Sequence, residues 1–257
     1  MIRNTFLHIP GVGPTTERSL WRQGCTDWEC LLGAFDQYSL GTATEIDARR
    51  TLENSLKADE EGNHQYFRKA LGLAEAWRAY ERFQDSVLYL DIETDGGFQG
   101  ESVTTIGMYD GKEFRALVKG NDLAEFPDLV SHYSLIVTFF GAGFDLPMLQ
   151  KKFWGLQFDQ IHIDLCPTLK RLGYRGGLKK IEKQLGIQRG EECDGLNGLD
   201  AINLWKSYCQ GDEKALETLI AYNREDVVNL ETLAKIAFDR MKQMTYGAAT
   251  KEASPTA

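Results

Sequence analysis

The sequence predicts an α/β domain behind an N-terminal all-helical region, and three observations carry that prediction. Residues 87–92 (V-L-Y-L-D-I) and 135–140 (L-I-V-T-F-F) are short apolar runs of the kind that form strands buried on both faces. Asp110-Gly111 stands between T-T-I-G-M-Y and K-E-F-R-A-L, which reads as a hairpin closed by a two-residue turn. From Pro167 onward the text is mainly helical, broken by Gly173, Gly176, Gly177, Gly186 and Gly190, with 215–237 as its longest stretch. Strands followed by helices set the boundaries of this domain at about 85–241.

The preceding residues, 1–84, carry helical signals and no strand signal. T-D-W-E at 26–29 reads as a capping box with Thr26 as the cap. Between 63 and 83, apolar residues recur at Phe67, Ala70, Leu71, Ala74, Trp77 and Tyr80, which predicts a helix. After the second apolar run, G-A-G leads into an amphipathic segment at 144–154 with Pro147 near its start. The ending, 242–257, is small and polar and is expected to be disordered.

At 257 residues with 42% hydrophobic content, the chain can build an ordinary core. It has no secretory leader pattern and no apolar run long enough to span a membrane. Five cysteines without C-x-x-C spacing argue against a disulfide framework or a zinc site, and for the cytoplasm. The net charge of −9 speaks against nonspecific nucleic-acid binding. Yet Lys170, Arg171, Arg175, Lys179, Lys180, Lys183 and Arg189 form a basic segment interrupted only by Glu182. Such a segment either tracks a phosphate backbone or is a solvated helix face.

Acidic pairs two residues apart occur in six places, but only Asp91/Glu93 ends an apolar run. On a strand they share one face, with Ile92 opposite. Burying two carboxylates is costly without a cation, and hard divalent ions are the natural partners. The alternative is a hydrated pair in the loop beyond the strand. Asp145, in F-F-G-A-G-F-D-L-P-M-L, is either a helix N-cap or a further ligand. Tyr222 and Asp226, in Y-N-R-E-D-V-V, lie four apart and so on one helix face; Asp226 is either a ligand or an ordinary surface acid.

Taken in order, D-I-E-T (91–94), F-D-L-P-M-L (144–149), H-I-D-L (162–165), G-L-K-K-I-E-K-Q-L-G-I (177–187) and Y-N-R-E-D-V (222–227) resemble the DEDD (DnaQ-like) 3′–5′ exonucleases. Tyr222, four residues before Asp226, is similar to the Tyr-containing subtype, and the wider text is closest to the YprB-like branch. The resemblance implies a ribonuclease H-like mixed sheet flanked by helices. It implies two divalent cations, Mg²⁺ or Mn²⁺, held by Asp91, Glu93, Asp145 and Asp226, with Tyr222 orienting the attacking water. The implied partner is nucleic acid, single-stranded or with a free 3′ end, and no membrane. Thr94, Phe140, Lys170, Arg171, Arg175, Lys179 and Lys180 are the expected contacts to it. Phe140 stands where the family usually has Asn, and either stacks on a base or fills the core. Asp164 is also typical of the branch. A noncatalytic nucleic-acid- or protein-binding module that retains the fold is the alternative.

I-P-G-V-G-P-T-T-E-R-S-L-W-R-Q-G at 9–24 is similar to a helix-hairpin-helix element, which implies DNA phosphate contacts at Gly11 and Gly13 and favours DNA over RNA. Glu17 departs from the small residue usual there, and few residues precede Ile9 to form the first helix. The other reading is a Gly-Pro turn before a capped helix, or a surface for docking protein.

Overall fold

The computed structural model describes residues 1–190 and 195–253, the side chains of 252 and 253 excepted. The acidic pair Glu192/Asp194 and Cys193 lie outside the described residues. The chain divides into two compact units, Met1–Gln84 with Ile236–Ala257, and Asp85–Lys235. No helix among the described residues is long and apolar enough to cross a membrane. The four described cysteines are free thiols.

The first unit opens with a single 3-10 turn at Ile2–Asn4 and continues through α1 (Pro14–Arg22), α2 (Trp28–Gly33), α3 (Glu45–Glu60), α4 (His64–Glu75) and α5 (Tyr80–Phe83). Phe6, Leu20, Trp21, Trp28, Leu52 and Phe67 fill its core, where the Trp28 and Phe67 rings stack 6.2 Å apart. The cap of α2 is Asp27 and not Thr26: Asp27 accepts the Cys30 N–H at 2.8 Å. Glu29, which the expected box would turn back to Thr26, is instead paired with Arg3. The helix expected over 63–83 breaks at Gly72 (φ +61°) and again at a 3-10 turn, Ala76–Ala79.

Glu17 is buried. It accepts from Thr5 Oγ1 and the Phe6 N–H, and pairs with buried Arg78 at 3.0 Å, so this residue serves the core of the unit. Gly11 has φ +86°, and a Cβ there would fall 2.8 Å from the Ala43 backbone nitrogen. Close packing against its own chain thus accounts for that glycine. Gly13 is the N-cap of α1 and offers no side-chain bond.

The second unit is built on a sheet of β1 (Val87–Thr94), β2 (Val103–Tyr109), β3 (Phe114–Val118), β4 (Leu135–Thr138) and β5 (Ile161–Asp164), in the order β3-β2-β1-β4-β5. The β1–β2 and β2–β3 pairs are antiparallel, and β1–β4 and β4–β5 are parallel. Around it stand α6 (Phe126–Val130), α7 (Asp145–Lys152), α8 (Leu165–Arg171), α9 (Leu178–Leu185), α10 (Gly198–Cys209) and the 30-residue α11 (Glu213–Lys242). On one face Leu88, Leu90 and Ile92 pack with Phe126, Leu146 and Leu149. Val118, Trp205, Leu219 and Tyr222 form the cluster against α10 and α11. With apolar layers on both faces, β1 and β4 read as unbroken hydrophobic runs.

Three boundaries differ from expectation. The β2–β3 connection has four residues, 110–113, because Asp110 Oδ1 accepts the N–H groups of both Lys112 and Glu113 at 2.8 Å, closing a longer loop. Strand β4 ends at Thr138 and not at Phe140, since the next N–H groups leave the ladder: Phe140 donates to Asp164 Oδ1 and Gly141 to Thr138 Oγ1. The tail expected from 242 is helical as far as it is described. A π turn at Gln243–Gly247 leads into α12 (Ala248–Ala253), Ala249 is buried, and Tyr246 meets Trp21 edge-on at 5.3 Å. Burial of these side chains outweighs the low hydrophobicity of the segment. Residues 254–257 lie outside the described part.

Candidate metal centre

Alternation along β1 turns Asp91 and Glu93 to the face opposite Ile92, and α11 crosses that face. Oxygens of Asp91, Glu93 and Asp226 all lie within 4.8 Å of one another. Asp145 is the first residue of α7; Phe144 is the N-cap. Its Oδ1 accepts the Ile92 N–H at 3.2 Å, between the two acids of β1. The structure therefore draws Asp145 to the same strand end, although it is not one of the three closest acids. Tyr222, one helical turn before Asp226, is 5% exposed and lines a cavity of about 440 Å³ with Asp91, Phe139, Lys179, Lys180 and Asp226.

Crowding acids in a dry place disfavours their charges. Burial, then the carboxylates of Asp145, Asp226 and Glu93, hold Asp91 well above the ordinary carboxylate range. Burial and the Asp226 and Asp145 charges push Glu93 up to about 8. Burial lifts Asp145 to about 7 against the backbone N–H groups that it accepts. Asp226 is raised by burial as well, with Arg189 opposing. Tyr222 is raised by burial and by the same carboxylates, so its phenol stays neutral.

Asn223 and Gly107 carry no signal of their own in the sequence, whereas Asp164 and Phe140 do. Asn223, fully buried on α11, donates from Nδ2 to Asp91 Oδ2 at 3.0 Å. It reaches Asp91 because the β2 residue paired with Asp91 is Gly107, where a Cβ would lie 2.0 Å from Asn223 Oδ1. Asp164 accepts the N–H groups of Phe140 (2.8 Å), Ala142 (3.1 Å) and Cys166 (3.0 Å), which ties the turn after β4 to the start of α8. That turn holds Phe140 at φ +66°, the residue 56% exposed and its ring lying against Gly143. Left-handed backbone is strained for a bulky side chain. Phe140 therefore does not fill the core.

The basic segment divides. Lys170, Arg171, Arg175, Lys180 and Lys183 are exposed. Lys179 turns inward: its ammonium lies 4.1 Å from the Tyr222 ring centroid and donates to the Leu196 carbonyl, and burial lowers its pKa. Arg189 turns its side chain inward against Glu182 and Asp226. Thr94 closes β1 just past a register shift, and its Oγ1 accepts the Gly96 N–H at 3.4 Å. Gly11 and Gly13 belong to the other unit.

A five-stranded mixed sheet flanked by helices, with an acidic cluster at the end of its first strand, defines a ribonuclease H-like domain. The chain belongs to the RNase_H superfamily, whose family model matches residues 88–238. No curated protein matches the chain. Among solved structures it is similar to a family B DNA polymerase from the hyperthermophilic archaeon Pyrobaculum calidifontis, with 18% identity and a TM-score of 0.51. That similarity covers 65% of this chain and 26% of the polymerase, and it concerns the fold.

Proposed function

We propose that this chain is a metal-dependent 3′–5′ exonuclease of the Tyr-containing DEDD type, nearest the YprB-like branch, acting on DNA in preference to RNA. The observation that carries the reading is the convergence of Asp91, Glu93 and Asp226 within 4.8 Å on the face that Tyr222 shares. The donor set suits hard divalent cations: all are carboxylate oxygens, mostly buried, and each is raised in pKa where no cation compensates. Asp91, Glu93, Asp145 and Asp226 would hold two ions, Mg²⁺ or Mn²⁺. Once bound, such ions activate water and stabilise the leaving oxygen of a phosphodiester.

The remaining work falls to the chain itself. Tyr222, neutral at working pH, orients the attacking water by hydrogen bonding. Asn223 holds Asp91 in one rotamer. The cavity of about 440 Å³ has room for one terminal nucleotide, with Phe139 as an apolar wall and Lys179 and Lys180 as cations for phosphate. Thr94, Phe140, Lys170, Arg171 and Arg175 are further candidate contacts to the strand, and Gly11 and Gly13 are candidates for duplex phosphate.

The test is to incubate 3′- and 5′-labelled single-stranded DNA and RNA with Mg²⁺ or Mn²⁺, beside Asp91→Asn and Asp226→Asn. Release of mononucleotides from the 3′ end, abolished in both variants and by chelator, is expected. Strand binding without metal-dependent cleavage of any substrate would instead identify a noncatalytic binding module.

A further inference from the structure

Arg189 is 7% exposed at its side chain, and its two neighbours are buried acids. Glu182, from α9, is 1% exposed and accepts from Arg189 Nε at 2.7 Å and from Nη2 at 2.8 Å. The same Nη2 lies 2.5 Å from Asp226 Oδ1. Asn229, three residues beyond Asp226 on α11, donates to Glu182 Oε1 at 3.0 Å. A planar guanidinium gripped at two points by one carboxylate has little freedom, so its charge is held in place beside Asp226, to which it makes an ion pair without an aligned hydrogen bond. A pair placed merely to join two helices needs no third acid, and a buried ion pair adds little stability over apolar residues of equal volume.

We infer that Arg189 is a positioning residue for Asp226, with Glu182 as its anchor. This rests on the reading of Asp226 as a metal ligand. Arg189 holds its charge against Oδ1, and this ion pair orients the carboxylate that converges with Asp91 and Glu93. Groups that orient ligands in this way typically change metal affinity about 10- to 100-fold when removed.

The experiment is Mn²⁺ titration by calorimetry of the full chain, with thermal melting of the metal-free protein alongside. Arg189→Met alone leaves the buried Glu182 charge without its cation and is expected to melt early. The informative variant is Glu182→Leu/Arg189→Met, which replaces the buried pair with apolar side chains of similar size. It is expected to melt near wild type yet bind Mn²⁺ about tenfold or more weakly, with Arg189→Lys intermediate. Wild-type Mn²⁺ affinity in the double variant would overturn the inference and leave the nuclease reading intact. Failure of the wild-type chain to bind Mn²⁺ would overturn both.

Discussion

Gly107→Ala is the sharpest test of how the acidic cluster is assembled. The added methyl carbon would stand 2.0 Å from Asn223 Oδ1, 2.7 Å from Val227 Cγ2 and 2.8 Å from Asn223 Cγ. Asn223 is fully buried on a helix packed against the sheet, so it cannot swing into solvent. Overpacking of this kind costs about 1–3 kcal/mol. Displacing Asn223 also breaks its bond to Asp91, worth about 0.5–1.5 kcal/mol because the carboxyl is neutral without metal. The expected loss is therefore about 2–4 kcal/mol, read by urea unfolding of the metal-free chain. Adding Asn223→Ala removes the obstacle, and the double variant should be more stable than the sum of the singles by about 1–2 kcal/mol. Both variants should bind Mn²⁺ more weakly, since Asp91 loses its partner. A Gly107→Ala protein within about 0.5 kcal/mol of wild type, or singles that simply add, would refute the close approach of α11 to β2 at this point.

Other expectations follow from the same geometry. Glu93 at about 8 and Asp145 at about 7 lie above their unfolded values, so between about pH 4 and 8 the folded chain holds protons that the unfolded chain has released. Metal-free stability should be highest below that window, fall as pH rises through it and level off above; stability rising from pH 5 to 8 in chelator would contradict the buried cluster. Phe140→Asn puts a residue that tolerates left-handed backbone at φ +66° and should stabilise the metal-free chain by roughly 0.5–1 kcal/mol, against no change if the turn is unstrained. Glu17→Ala strips buried Arg78 of one partner and should cost about 3 kcal/mol in denaturant titration, whereas a loss below about 1 kcal/mol would mean that Glu75 alone satisfies the guanidinium.

Local pattern was enough for much of this protein. The apolar runs at 87–92 and 135–140 identify the paired parallel strands β1 and β4, because a strand buried on both faces has no room for polar alternation. Period-two alternation turns Asp91 and Glu93 to one face, and a four-residue step does the same for Tyr222 and Asp226. Those facts leave each acid open to a plainer reading, and it is the resemblance of the ordered motifs to the DEDD exonucleases that names the candidate site before any coordinates. Boundaries were less legible, since Asp110, Asp164 and Asp27 redirect N–H groups through side-chain bonds that propensity does not foresee.

What only the tertiary structure decided is which side chains serve the acids. Gly107 and Asn223 matter because the antiparallel register sets a glycine beside Asp91 just where α11 crosses, and sequence spacing holds no record of that meeting. Lys179 and Arg189 read as part of one basic stretch, either a phosphate track or a solvated face, yet both side chains turn inward while Lys180 and Lys183 stay exposed. The reason is physical: a cluster of buried carboxylates attracts whatever cation the fold can bring near, and helix packing determines which cations those are.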